Sequence, residues 1–211
     1  MKYNSYYLAV MHPTKNLDRA SIDAALTLLG ERLEQTTIAP VCLLVCGGAS
    51  LIATRMVSRL MTKDIDVVAF VRDNAVLDKA KPFPPLLDQC VSEVAAMLQL
   101  PPSWMNPGPT ALLDAGLPEG LMDRVAETRH YGSRLTVLFI GRRDQICFKV
   151  YAAADAGPGR HLEDLRELKP TADEMETAAR WVTNQDPSEG FRMMLREMYR
   201  KIGYEQIADR I

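Results

Sequence analysis

The sequence predicts a mixed α/β fold of the α+β kind, on three observations. First, Val41–Cys46 (VCLLVC) is apolar on both faces, the pattern of a central strand covered on each side. Second, it runs into Gly47-Gly48, a helical stretch and another strand over 66–71, and a further amphipathic helix comes next. Third, the last part of the chain reads as helix almost throughout. Strand, turn, helix, strand, helix in that order makes a sheet flanked by helices.

Taken in order, residues 1–12 show no clear period and are read as a short strand or a packed arm. From Asn16 the pattern turns helical: Leu17, Ile22, Ala25, Leu26, Leu29 and Leu33 recur near 3.6 residues, with Asp18, Arg19, Glu31 and Arg32 mostly opposite. Asn16 is the candidate cap. Residues 36–40 break this helix and lead into the strand Val41–Cys46. A helix is expected over 50–60, then the strand over 66–71. Over 86–100, Leu87, Cys90, Val91, Val94, Ala95 and Leu98 lie on one helical face, and Pro84-Pro85 suits a first turn. Residues 101–120 carry five prolines and read as irregular. Within them, Trp104 either anchors the segment to the body or stacks on a base. A short helix is expected over 121–127 and a strand over 134–140. Asp144 then caps a helix to Ala154, closed by Gly157-Pro158-Gly159. Helices over 161–168, 173–184 and 190–202 complete the chain. The division this implies is a sheet-bearing core with an N-terminal helix over 1–142, and a helical region packed on it over 143–211.

Composition narrows the function classes. With 211 residues, 47% hydrophobic and 25% charged, the chain is long enough for one sizeable core and is ordinary for a globular protein. A formal charge of −2 gives no general electrostatic case for nucleic-acid binding, although a local basic groove is compatible with it. The four cysteines have neither a CxxC pair nor zinc-finger spacing, so buried free thiols are expected. No stretch reaches the roughly 18 apolar residues of a membrane span, and no basic-then-apolar leader opens the chain. A cytoplasmic protein without a membrane partner is the expectation.

The chemistry is concentrated around Asp64-Ile65-Asp66. Side chains two apart on a strand share a face, so the two carboxylates project together. Such a pair repels unless a proton or cation sits between its members. A hard divalent ion such as Mg2+ suits it, because that ion binds one or two carboxylates and leaves positions for phosphate oxygens. Upstream, Gly47-Gly48 lets the backbone turn tightly and approach a ligand, and Ser50 adds a hydroxyl donor. A phosphate cradle and metal-binding carboxylates together outline a nucleotide-polyphosphate site.

These residues resemble the signature of the nucleotidyltransferase superfamily: apolar strand, Gly-Gly or Gly-Ser, helix, then Asp-apolar-Asp. The match is carried by Gly47, Gly48 and Ser50, then by Thr62, Lys63, Asp64, Ile65 and Asp66. Within the superfamily the chain is most similar to minimal AbiEii/AbiGii-type toxins and their bacterial relatives. The likeness extends to LPEGLMDR (117–124), the strand at 135–140, and Lys149, Ala152, Arg160 and Asp164, which echo a Lys-Leu-x-Ala helix followed by a basic, Asp-containing one. The chain departs from its relatives at Leu60, where they place an Arg, and at Arg160-His161, where they often read Lys-Asp. The strand RLTVLFIG also lacks the third carboxylate that active transferases add.

The resemblance implies a nucleotidyltransferase-like fold, with Asp64 and Asp66 as catalytic and metal-binding residues for Mg2+ (or Mn2+). Gly47, Gly48, Ser50 and Lys149 would bind the phosphates of an NTP. The implied acceptor is an RNA such as tRNA, or a protein side chain, and the implied setting is a toxin with a cognate antitoxin. The alternative is a catalytically inactive relative that binds nucleotide or a protein partner; a third reading makes the acids structural.

Two further patterns carry weaker signals. His161 and Asp164 share a helical face, and His161 is a candidate general base or an ordinary solvated histidine. Arg192, Arg196 and Arg200 form a stripe interleaved with Met193, Met194 and Met198. That stripe suits helix packing, a solvated face or contact with RNA. Lys149 is either a surface lysine with a buried stem or a phosphate contact.

Overall fold

The strand Val41–Cys46 (β1) is the centre of a six-stranded mixed sheet in a computed structural model that describes residues 16–157 and 159–211. On one side β1 pairs antiparallel with Ile65–Val71 (β2), and on the other it runs parallel to Leu135–Phe139 (β6). Glu127–Tyr131 (β5) closes the β6 edge. The outer edge of β2 is shared. Leu77–Lys79 (β3) pairs with its C-terminal half and Met105–Asn106 (β4) with its first residues. The fold is α+β, as expected.

The helices cover both faces. Arg19–Glu34 (α1) and Pro85–Leu98 (α3) pack on one, burying Ile22, Leu26, Leu29, Leu87, Val91 and Val94 against Leu43, Val45 and Val67. Trp104 belongs to this core. Its side chain is fully buried and its indole N–H donates to the Val91 carbonyl at 3.0 Å, so it anchors the proline-rich segment rather than facing a ligand. The other face is covered by Arg142–Ala156 (α4) with Arg160–Leu168 (α5), Ala172–Gln185 (α6), Glu189–Lys201 (α7) and Glu205–Ala208 (α8). Between β1 and β2 lies one short helix, Gly47–Ala53 (α2).

Several boundaries differ from the expectation, each for a local reason. Helix α1 is capped by Asp18, whose carboxylate accepts from Ser21 N–H at 2.7 Å, and not by Asn16. Helix α2 starts at Gly47 and stops at Ala53, well short of residue 60. Arg55 adopts a left-handed conformation there (φ 58°), and Met56 N–H closes back on the Leu51 carbonyl at 2.9 Å. Strand β2 opens at Ile65, one residue earlier than expected. Residues 121–127 form only a 3-10 turn, Leu121–Arg124, before β5 begins. Asp144 does not cap α4. It lies fully buried in the first turn, paired with Arg124 through two hydrogen bonds at 2.6 and 3.2 Å. The four cysteines are free, as expected. Among the described residues no helix is long and apolar enough to cross a membrane. The short strand or packed arm expected over residues 1–12, and Pro158, lie outside the described residues.

Candidate functional site

The site grows from the junction of β1, α2 and β2. Register places Cys46 at the end of β1 opposite Asp66, so the β1-to-α2 turn lies directly over that carboxylate. Gly47 takes the turn with φ +71°, and a Cβ there would run into the Asp66 carboxyl group. Only glycine permits both the dihedral and the approach. At Gly48 a Cβ would press on the Thr62 hydroxyl and the Arg59 guanidinium. The two glycines therefore let the start of α2 sit tight against β2 and the segment before it.

Asp64 and Asp66 come together on one side, as the strand period requires, and their shared neighbour is Asn106. Its amide nitrogen donates to Asp66 Oδ1 at 2.7 Å and reaches Asp64 Oδ2 at 3.5 Å. The amide orientation is fixed from behind, because Gly108 N–H donates to Asn106 Oδ1 at 2.7 Å. Strand β4 sets Asn106 in register with Asp66. Sequence reasoning missed this residue: it lies in a proline-rich stretch, and a two-residue strand has no period to detect. Among the described residues, no third Asp, Glu, His or Cys joins the two carboxylates in a metal-binding group.

Beside Asp66 opens a cavity of about 500 Å³, whose lining does not include Asp64. Gly47, Asp66 and Lys149 border it. Arg160 and His161 add basic groups and Asp114 and Asp155 acidic ones, while Pro109, Leu112, Phe148 and Tyr151 supply an apolar wall. Lys149 is held within the protein, with its ammonium 2.7 Å from Asp164 Oδ2, and Arg59 binds the other oxygen of Asp164 at 2.7 Å. Asp164 is 2% exposed, so one buried carboxylate ties α4, α5 and the α2–β2 connection together. Gly48 and Ser50 do not border the cavity: Gly48 faces Thr62 and Arg59, and Ser50 is wholly buried in α2 with no hydrogen-bond partner for its hydroxyl among the described residues.

The electrostatics follow from burial and crowding. Burial, then the neighbouring charge of Asp64, pushes the Asp66 carboxyl up to about 6, against the pull of Lys149 and Asn106. Burial, then the positive charges of Lys149 and Arg160, holds His161 down to about 4, so its ring is neutral near pH 7. No protein family, curated protein or solved structure matches this chain. The physical content of the site therefore rests on its own residues. Asp64 and Asp66 form a two-carboxylate donor set whose crowding a cation would relieve, and the Asn106 oxygen is already committed to Gly108. That set fits a hard divalent ion completed by water and phosphate oxygens.

Proposed function

We propose that the chain is a metal-dependent nucleotidyltransferase that passes a nucleotidyl group from an NTP to an RNA or protein acceptor in the cytoplasm. The observation that carries this reading is the placement of Asp66, with Asp64 joined to it through Asn106, beside a nucleotide-sized cavity with cationic side chains and an apolar wall. Asp64 and Asp66 would hold Mg2+ or Mn2+. When bound, that ion supplies charge neutralisation at the phosphates and at the attacking and leaving oxygens. Arg160 offers an exposed cation to the polyphosphate, Lys149 borders the cavity while paired with Asp164, and Phe148 and Tyr151 give the base an apolar wall. His161 lies on the same wall, where a ring with its pKa held down to about 4 is neutral but a weak proton acceptor. A toxin role with a cognate antitoxin accompanies the resemblance to AbiEii-type proteins.

The test is calorimetric titration of each of the four NTPs with and without Mg2+, on the wild type and on Asp64→Asn with Asp66→Asn. The expected result is Mg2+-dependent binding that weakens by about tenfold or more in the double variant. Absence of any Mg2+-dependent component of NTP binding, or such a component undiminished in the double variant, sinks the reading. One observation favours a second reading, a nucleotide-binding relative without transfer activity: the shared neighbour of Asp64 and Asp66 is a neutral amide, Asn106, and among the described residues no third acid joins them. Mg2+-dependent binding without transfer of label from any NTP to RNA or protein would select it.

A further inference from the structure

A second cavity, of about 540 Å³, lies between the loop around Gly116, α4 and α6, and Ala115 separates it from the first. Its guanidinium groups are arranged in an unusual way. Arg143 on α4 and Arg180 on α6 both donate to the same acceptor, the Thr177 hydroxyl, at 2.9 and 3.3 Å. Each also has an ion pair of its own, Arg143 with Asp173 at 3.4 Å and Arg180 with Glu176 at 3.6 Å, so two guanidinium groups with one carboxylate partner apiece converge on one neutral atom. Arg124 also lines the cavity. It spends Nε and Nη2 on buried Asp144, which leaves Nη1 outside that pair. Among the described residues Glu119 is the one acid on this lining.

The wall is rigid. Trp181 and Gln185 on α6 both donate to the Gly116 carbonyl, at 3.0 and 2.6 Å, and fix the loop over the cavity. Arg180 and Asn184 are shared with a further cavity of about 490 Å³, which Arg192 and Arg210 line. There Glu176 accepts from Arg210 at 3.3 Å, while Arg192 Nε is buried without a hydrogen-bond partner among the described residues. Guanidinium forks match phosphate oxygens in shape and charge, and a bound anion offsets the repulsion between neighbouring forks.

We propose that the cavity of Arg124, Arg143 and Arg180 is a binding site for the phosphate groups of a multiply phosphorylated ligand, continued past Arg180 toward Arg192 and Arg210. A lone phosphate would occupy one cavity; two adjoining arginine-lined cavities suit a ligand with several phosphates in series. This site lies outside the carboxylate cavity and stands without the nucleotidyl-transfer reading. The shared chemistry has two sources, a small polyphosphate and a nucleic-acid strand, and the experiment separates them.

Inorganic tripolyphosphate, without divalent ions, is titrated calorimetrically into the full chain, and a labelled oligouridylate is followed by fluorescence anisotropy. Both are repeated on Arg143→Ala with Arg180→Ala, two exposed side chains whose loss leaves the fold intact by thermal melt. Binding of one or both anions, weakened about tenfold or more in the variant, is expected. Tighter binding of the oligouridylate, with a steep salt dependence, assigns a nucleic-acid strand; equal or tighter binding of tripolyphosphate assigns a small polyphosphate. Absence of binding by both anions, or binding unchanged in the variant, overturns the site. Mg2+-dependent NTP binding measured on the same variant stays at the wild-type level, so failure here is distinct from failure at Asp64 and Asp66.

Discussion

Asp164, which the sequence marks as part of a basic, Asp-containing helix, is the buried junction of the site's ion pairs. It is buried between two cations, Arg59 and Lys149, each 2.7 Å from one of its oxygens. A buried pair adds little net stability, but removal of one member strands the other in a low-dielectric setting. Asp164→Ala leaves two cations facing each other, and the expected loss is roughly 3–5 kcal/mol in urea denaturation. A loss below about 1 kcal/mol, the range of a solvated surface pair, would show that water reaches the cluster. The sequence made part of this cluster legible. The alternation around Asp64 and Asp66 puts both acids on one side, and the residues around Lys149 suit a surface lysine and a phosphate contact equally. The structure buries Lys149 at the cavity edge. What decided its position was a carboxylate on the next helix, and no local period reports such a partner.

At the scale of elements, helix α6, expected over 173–184, opens one residue earlier on a capping signal that hydrophobic periodicity does not report. Thr171 caps it and accepts from Glu174 N–H, while Glu174 accepts from Thr171 N–H at 2.8 Å, a reciprocal capping box. Arg142 at the head of α4 binds the same carboxylate at 2.9 Å. Burial raises the Glu174 pKa, but the Arg142 guanidinium and the Thr171 N–H outweigh it and bring the carboxyl below its ordinary 4.5. Because folding depresses this pKa, the stabilisation is complete above pH 4.5 and is lost as the pH falls through the lower folded value. Glu174→Gln is therefore expected to flatten the acid limb of stability against pH below 4.5 and to lower stability above it. Parallel acid limbs in the two proteins would count against this role. Other elements left weaker signals. Helix α2 ends where Arg, not the usual Gly, takes the left-handed position, so no residue marks the stop. Strand β5, Glu-Thr-Arg-His-Tyr, is a polar edge whose order depends on distant contacts: Arg129 and Tyr131 bind Asp23 on α1 at 2.7 and 2.9 Å.

Across the whole molecule, the central strand ties the two cores into one unit. Leu43 and Val45 of β1 enter the core under α1 and α3, while Leu44 and Cys46 enter the core under α4 to α8. Strand β2 divides in the same way, with Val67 on one side and Val68 on the other. Neither face of the sheet is complete without its own helices, and the ion pairs of Asp164 and Arg142 link the C-terminal helices further. Removal of residues 143–211 would uncover Leu44, Val68, Ala69 and Ile140 together. At about 25 cal/mol per Å² of apolar surface, several such side chains amount to a large share of a domain's net stability. The full chain is expected to unfold in one transition, with calorimetric and van't Hoff enthalpies that agree, and a fragment ending at residue 142 is expected to lack a cooperative melt. Two separate transitions in the full chain, or a fragment that melts cooperatively, would mean that the sheet and α1 to α3 form an independent domain and that the helices are an appendage to it.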